Sequence, residues 1–271
     1  VSQADIDAAN ATFWNNLCGS HLAQMLGVTD DSPASLKRYD DWFFGFYPYL
    51  LDHVPTHSFA GKRVLEIGLG YGTLSQKIAE SGADYLGMDI ATGPMAMVGR
   101  RLEQNGLSGT TVQRSFLDNG LEDASFDAVV AIGCFHHTGD LQRCLDESWR
   151  ILKPGGSLHF MIYNRYSHRR WRENRGRFLK DMVLEALGLL RTITASEQER
   201  AASDRTLAGE AAPETVYTSA REVRRRLRRF RRASVTQENM DESDDSKWDR
   251  DKVLPTWGRR MGLDLYVTAV K

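Results

Sequence analysis

Val64-Leu65-Glu66-Ile67-Gly68-Leu69-Gly70-Tyr71-Gly72-Thr73 runs from apolar residues through three glycines into a helix-forming segment. The apolar run is bounded and short, as a buried strand is, and Thr73–Ser81 carries helical periodicity. Glycines at such a junction let the backbone turn sharply and let a ligand approach without side chains in the way. The helix start then offers unpaired N–H groups to a carboxylate or a phosphate. By itself the stretch reads equally as a tight turn or as the cradle of a nucleotide-like ligand. Asp89, at the end of the next apolar run, favours the cradle, because a carboxylate there can accept from both hydroxyls of a ribose.

Outward from this stretch, apolar runs at Arg63–Ile67, Tyr85–Asp89, Thr111–Ser115, Phe126–Ile132 and Ser157–Tyr163 read as strands. Helical patterns at Thr73–Ser81, Pro94–Gln104 and Leu141–Leu152 separate them. Such alternation predicts crossover units on a parallel sheet. Runs apolar throughout, such as Ala128–Ile132, predict a sheet covered on both faces. The aromatic-rich residues 1–60 read as short helices punctuated by Pro33, Pro48 and Pro55, a lid or a packing extension. Residues 164–215 break the rhythm as an insertion, with a basic stretch Arg165–Arg177 and an amphipathic helix over Phe178–Leu190. A helix returns in Thr218–Phe230, then a strand at Ala233–Gln237, an acidic loop, and a closing strand at Leu263–Val270. The expected organisation is a helical extension over 1–60 and one α/β domain over 61–271, with the insertion at about 164–215.

Composition narrows the class. The chain has 271 residues, 41% hydrophobic and 26% charged, with a formal net charge of -1. That balance fits a globular protein without overall attraction to nucleic acid or membrane. Three cysteines (Cys18, Cys134, Cys144) are too sparse for a disulfide framework and fit a reducing cytoplasm. No run approaches the roughly 20 apolar residues of a membrane span. Cys134, His136, His137 and Cys144 match no standard zinc spacing, so no metal is expected.

Two nucleotide cofactors share the strand–glycine–helix geometry. The nicotinamide fingerprint G-x-G-x-x-G would need glycine where Thr73 stands. The spacing here is G-x-G-x-G, with Glu66 two residues before the first glycine, and it resembles the first motif of class I S-adenosylmethionine-dependent methyltransferases. Asp123-Ala124-Ser125-Phe126-Asp127 resembles the turn into their fourth strand. Ala131-Ile132-Gly133-Cys134-Phe135-His136-His137 is similar to the strand end of their small-molecule members. Arg150-Ile151-Leu152-Lys153-Pro154-Gly155-Gly156 is similar to their turn before strand five. The resemblance covers about residues 62–163.

It implies a Rossmann-like, doubly wound, seven-stranded sheet, mostly parallel with an antiparallel last strand. It also implies S-adenosyl-L-methionine as cofactor, with S-adenosyl-L-homocysteine as product. Gly68, Gly70 and Gly72 would border the methionine portion, with Glu66 of the same motif among the cofactor-binding residues; Asp89 would hold the ribose and Ile90 pack on the adenine, and Tyr71 could cover the sulfonium or the substrate. Ser115 stands where members commonly have an aspartate, so Phe116 or Asp118 would supplement it. Ile132 and Gly133 would approach the methionine end.

Methyl transfer is an in-line displacement, and a base is needed only where the nucleophile carries a proton. His137, with His136 beside it, is the candidate base, since histidine titrates near neutrality. Tyr163 and Asn164, at the same sheet edge, could orient a small-molecule substrate. The arginine run Arg221–Arg232 raises the rival of an RNA methyltransferase docking through this helix, with acids from Glu238 to Asp251 available to neutralise it. A cofactor-binding protein without catalysis is the other rival.

Overall fold

The computed structural model describes residues 2–15, 20–190, 193–206, 208–240 and 249–271. Four helices lead the chain: α1 (Gln3–Phe13), α2 (His21–Leu26), α3 (Pro33–Phe46) and α4 (Leu50–His53). The strands β1 (Arg63–Ile67), β2 (Asp84–Asp89), β3 (Thr110–Gln113), β4 (Phe126–Ile132) and β5 (Leu152–Tyr163) follow. Between them lie α5 (Thr73–Glu80), α6 (Thr92–Gln104) and α7 (Leu141–Ile151). After β5 come α8 (His168–Glu173), α9 (Arg175–Ala186), α10 (Glu197–Ser203) and a two-stranded ribbon of β6 (Ile193–Thr194) and β7 (Val216–Tyr217). Helix α11 (Ala220–Arg226) leads to β8 (Arg232–Glu238), and β9 (Asp264–Val270) closes the sheet.

Sheet order is β3-β2-β1-β4-β5-β9-β8, with β1 to β5 parallel and β9 antiparallel to both neighbours. The order reverses beside β1, so the connections that leave β1 and β4 part to opposite faces of the sheet and frame a crevice at the carboxyl ends, where open α/β sheets hold ligands. The glycine stretch leaves β1 at that switch point.

Both faces of the sheet are covered, as the continuous apolar runs require. Leu65, Ile67, Val129, Ala131, Leu158 and Phe160 pack on one side. Val64, Ala128, Val130, Met161 and Tyr266 alternate with them onto the other. This is the two-residue period of a strand read on two faces.

Some boundaries differ from the pattern-based expectation for local reasons. Asn174 accepts a hydrogen bond from the Arg177 backbone N–H and starts α9 at Arg175; Gly188, at φ 72°, follows its end at Ala186. The basic helix α11 is short, but Val223, Leu227 and Phe230 are buried as its spacing predicts. Its arginines find partners elsewhere than expected: Arg226 pairs with Glu222, and Arg229 with Asp146 while lying over Trp149. Glu238 is not one of those partners; it is buried and pairs with His53 and Arg259. The acids at 241–248 lie outside the described residues, as does Cys18. Among the described residues no helix is long and apolar enough to cross a membrane.

Candidate active site

The three glycines do different work. Gly68 has φ 76°, and a Cβ on it would stand 2.6 Å from Cys134 Cβ, so its bareness lets the ends of β1 and β4 meet. Gly70 has φ 52°, lies on a cavity wall, and a Cβ there would meet nothing within 4 Å. The open space beside Gly70 is room for a ligand. Gly72 lies behind the wall against Val98 and Arg101 and starts α5, which no side chain caps. The sequence led one to expect an anion at that first turn, but none of Gly72, Thr73, Leu74 and Ser75 lines the cavity.

Asp89 lies at the end of β2, buried, with its carboxylate braced across the loop. It accepts from the Leu69 N–H at 2.8 Å and from the Ala91 N–H at 2.9 Å. Burial raises its pKa, and these backbone donors pull the other way. Each carboxylate oxygen keeps a lone pair for a hydroxyl. Ile90, Ser115, Phe116, Ile132 and Gly133 share its cavity.

The short turn after β4 carries His137. Its Nδ1–H donates to the Glu214 carbonyl at 2.7 Å, which leaves Nε2 as the lone-pair nitrogen. Nε2 stands 3.7 Å from Asp204 Oδ2, and the Tyr163 hydroxyl donates to the same oxygen at 2.9 Å. Trp14 packs on the His137 ring, with centroids 5.1 Å apart, and the Asn10 side chain donates to the His137 carbonyl. All of these except Glu214 line the cavity.

Two covers close the crevice into one cavity of about 600 Å³. Helices α1 to α3 supply Phe13, Trp14, Tyr39, Trp42 and Phe43, and residues 201–206 of the insertion supply the facing wall. Ser20 and Thr206 form a β-bridge, so the covers touch. Helix α3 is tied to the domain through Asp40, which takes hydrogen bonds from buried Arg101 and from Thr73. Arg101 also donates to the Tyr71 carbonyl, while the Tyr71 ring stacks on Tyr39 with centroids 3.9 Å apart. Tyr71 is thereby buried beneath the lid and still on the cavity wall. Of the other aromatics in α3, Tyr47 is on the wall as well as against the core, whereas Phe44 packs only against the core.

Several residues singled out from sequence lie off that wall. Glu66 is buried behind the loop, accepts from the Tyr85 hydroxyl at 2.7 Å, and has its pKa raised to about 7, chiefly by burial. His136 is wholly buried between His137 and Tyr163, and burial holds it well below the usual imidazole range. It is a packing residue in a neutral form. Asn164 is buried, donates to the Gly262 carbonyl and accepts from the Tyr166 N–H, which makes it a loop anchor. Asp118 is exposed and away from the cavity. Among the described residues no group of histidine, cysteine and carboxylate side chains could hold a metal ion. Burial raises both the Cys134 and Cys144 thiols, the latter to about 12, so neither offers a thiolate.

Asp204 was not legible in sequence. It sits in a polar stretch with no motif, and only the fold of the insertion brings it to β4 and β5. The one available signal was an acid in an insertion that follows strand five.

Residues 65–160 match the methyltransferase-domain family. The match runs from β1 into β5, and the sheet around it has the fold of class I methyltransferases. The domain is similar to the ubiquinone biosynthesis O-methyltransferase of Actinobacillus pleuropneumoniae serotype 5b, at 32% identity over 44% of this chain and 53% of that protein. The chain therefore spans about half the length of the curated relatives it matches. Its fold is similar to that of a putative S-adenosylmethionine-dependent methyltransferase from Listeria monocytogenes, with a TM-score of 0.58, 19% identity and coverage of 84% and 96%. The [4+2]-cyclase SpnF has a similar fold too, with a TM-score of 0.51, 16% identity and coverage of 82% and 79%. S-adenosylmethionine is the cofactor named for the Listeria neighbour. The residues of this cavity fit that molecule: bare space at Gly70, and a braced Asp89 with lone pairs left for two ribose hydroxyls.

Proposed function

We propose that this chain transfers a methyl group from S-adenosylmethionine to a hydroxyl oxygen of a small, largely aromatic or apolar molecule. One observation carries the reading. One covered cavity is lined by Gly70, Asp89 and His137, and His137 has its Nδ1–H tied to the Glu214 carbonyl so that Nε2 keeps the lone pair.

The bound cofactor supplies a methyl carbon activated by its sulfonium. The chain's own task is to align an acceptor with that carbon and to exclude water. Gly68 and Gly70 would hold the amino-acid portion, Asp89 the ribose, and Ile90, Ser115 and Phe116 the adenine. Ser115 offers a hydroxyl where a carboxylate would bind an amino group more strongly. Tyr71, with its ring buried against Tyr39, fixes the loop beneath the lid. His137 Nε2 would take the acceptor's proton. The aromatic cover favours a flat or apolar acceptor, since such walls gain from contact area. The names of the curated relatives, O-methyltransferases, support oxygen as the acceptor atom.

The RNA rival loses its docking surface in part, because Arg226 and Arg229 of the basic run are paired within the fold. The cofactor-binding rival keeps one specific support: SpnF shows that this fold also carries a cyclase, so architecture alone does not fix the chemistry.

Calorimetry with S-adenosylhomocysteine and with NAD tests the cofactor, and label transfer from S-adenosylmethionine to a panel of phenols and catechols tests the reaction. Binding of S-adenosylhomocysteine with methyl ethers as products is the expected result. Binding of NAD in its place would overturn the reading. Tight S-adenosylhomocysteine binding with no transfer across the panel would favour the non-catalytic rival.

A further inference from the structure

We propose that Asp204, delivered by the insertion, is a positioning residue that forms a proton-accepting pair with His137, and so selects acceptors whose nucleophilic atom enters as O–H. The inference rests on the methyl-transfer reading above. Three contacts define the pair. The Glu214 carbonyl holds Nδ1 in its protonated form at 2.7 Å, so the basic nitrogen is Nε2. Asp204 Oδ2 stands 3.7 Å from Nε2, too far for a direct hydrogen bond but close enough to feel a charge there. The Tyr163 hydroxyl, donating at 2.9 Å, fixes that carboxylate oxygen, while the Asp204 backbone caps α10 through Arg200.

The arrangement suits a proton that arrives from outside. A neutral imidazole with Nδ1 protonated gives Asp204 nothing to accept, and in the resting site Tyr163 donates to the carboxylate. When an acceptor O–H bond breaks, its proton goes to Nε2 and the ring becomes a cation. Asp204 then faces an opposite charge in a half-enclosed site, where such pairs are screened less than in water. The oxygen's electron pair forms the bond to the methyl carbon as the carbon–sulfur bond breaks, and that pair of electrons stays on sulfur. The proton on Nε2 leaves to water when product departs. A carbon acceptor that carries no acidic proton would make no use of this pair.

Other charged and titratable groups stand near the pair: Arg205 lines the cavity, and Arg169 donates to Ser203 beside Asp204. Tyr163 comes from β5, His136 from the same turn, and Asp7 of α1 shares the cavity wall. Burial keeps the Tyr163 hydroxyl protonated and His136 neutral, so the charge that answers His137 is a carboxylate. Asp204 is the carboxylate in contact range.

The test reads the ring itself. Ring signals of His137 in the full chain, assigned by their loss in His137→Gln, are followed by NMR across pH in wild type and in Asp204→Asn. A carboxylate 3.7 Å from Nε2 favours a proton there, so the midpoint should lie lower in Asp204→Asn than in wild type, and label transfer to any phenol that wild type methylates should fall at least tenfold with S-adenosylhomocysteine affinity within twofold. An unmoved midpoint in a folded variant overturns the proposal, whatever happens to the rate. If Asp204→Asn does not fold, Tyr163→Phe decides: loss of the hydroxyl concentrates charge on Asp204, so the midpoint should rise, and an unmoved or lowered one overturns the pair. Failure of wild type to bind S-adenosylhomocysteine would instead sink the methyl-transfer reading, independently of the ring's titration.

Discussion

Replacing Glu66 by glutamine separates the loop's architecture from its ligand. Glu66 is buried behind the glycine loop and off the cavity wall, and burial raises its pKa from 4.5 to about 7. An acid whose folded pKa lies above its unfolded value binds more protons folded than unfolded between the two. Its contribution to stability is complete below pH 4.5 and is lost as pH rises through 7. A shift of that size corresponds to about 3 kcal/mol at the most, from roughly 1.4 kcal/mol per unit. Glutamine is neutral at every pH and can still accept from the Tyr85 hydroxyl, so Glu66→Gln should be free of this loss. Thermal unfolding of both proteins from pH 4.5 to 8 should show the variant gaining steadily on wild type, by roughly 5–10 °C at the alkaline end. Affinity for S-adenosylhomocysteine at pH 6 should change less than twofold. A parallel pair of stability curves, or a tenfold loss of affinity in a folded variant, would refute this account and return Glu66 to the ligand.

Other residues make opposite demands. Asp89→Ala should weaken S-adenosylhomocysteine binding by about 1–3 kcal/mol in calorimetry, and it should also lower Tm because Leu69 and Ala91 lose their acceptor. Gly70→Ala should fold with a loss of about 1–2 kcal/mol from its left-handed backbone, yet bind the cofactor poorly because its new methyl enters the cradle. Gly68→Ala should lose more stability than Gly70→Ala in denaturant titrations, since its Cβ meets Cys134 at 2.6 Å. His159, buried and lowered to about 4, should make wild type acid-labile: stability present above pH 6.5 is lost as pH falls through 4, and His159→Gln should blunt that limb of an acid titration.

Periodicity was sufficient for the sheet because strands and crossover helices are local patterns, and their apolar runs state how many faces are buried. The spacing of Gly68, Gly70 and Gly72 was sufficient to separate two cofactor classes, because a backbone turn of fixed shape needs bareness at fixed places. Asp89 was legible for the same reason, as an acid at a strand end beside the turn. The tertiary structure decided which of these residues line the cavity. Glu66 and Gly72 belong to the same motif as Gly70, yet one or two residues of strand or turn rotate them behind the wall. His136 and His137 are adjacent in sequence, and the short turn after β4 buries one and exposes the other to the cavity. Asp204 depended wholly on tertiary structure, since no local pattern records where the end of a polar insertion lands. Sequence by itself therefore determined the frame and the glycine cradle, whose causes are short-range. Only the packed chain decided the lid, the orientation of His137 and the acid beside it, because those depend on contacts between segments far apart in the chain.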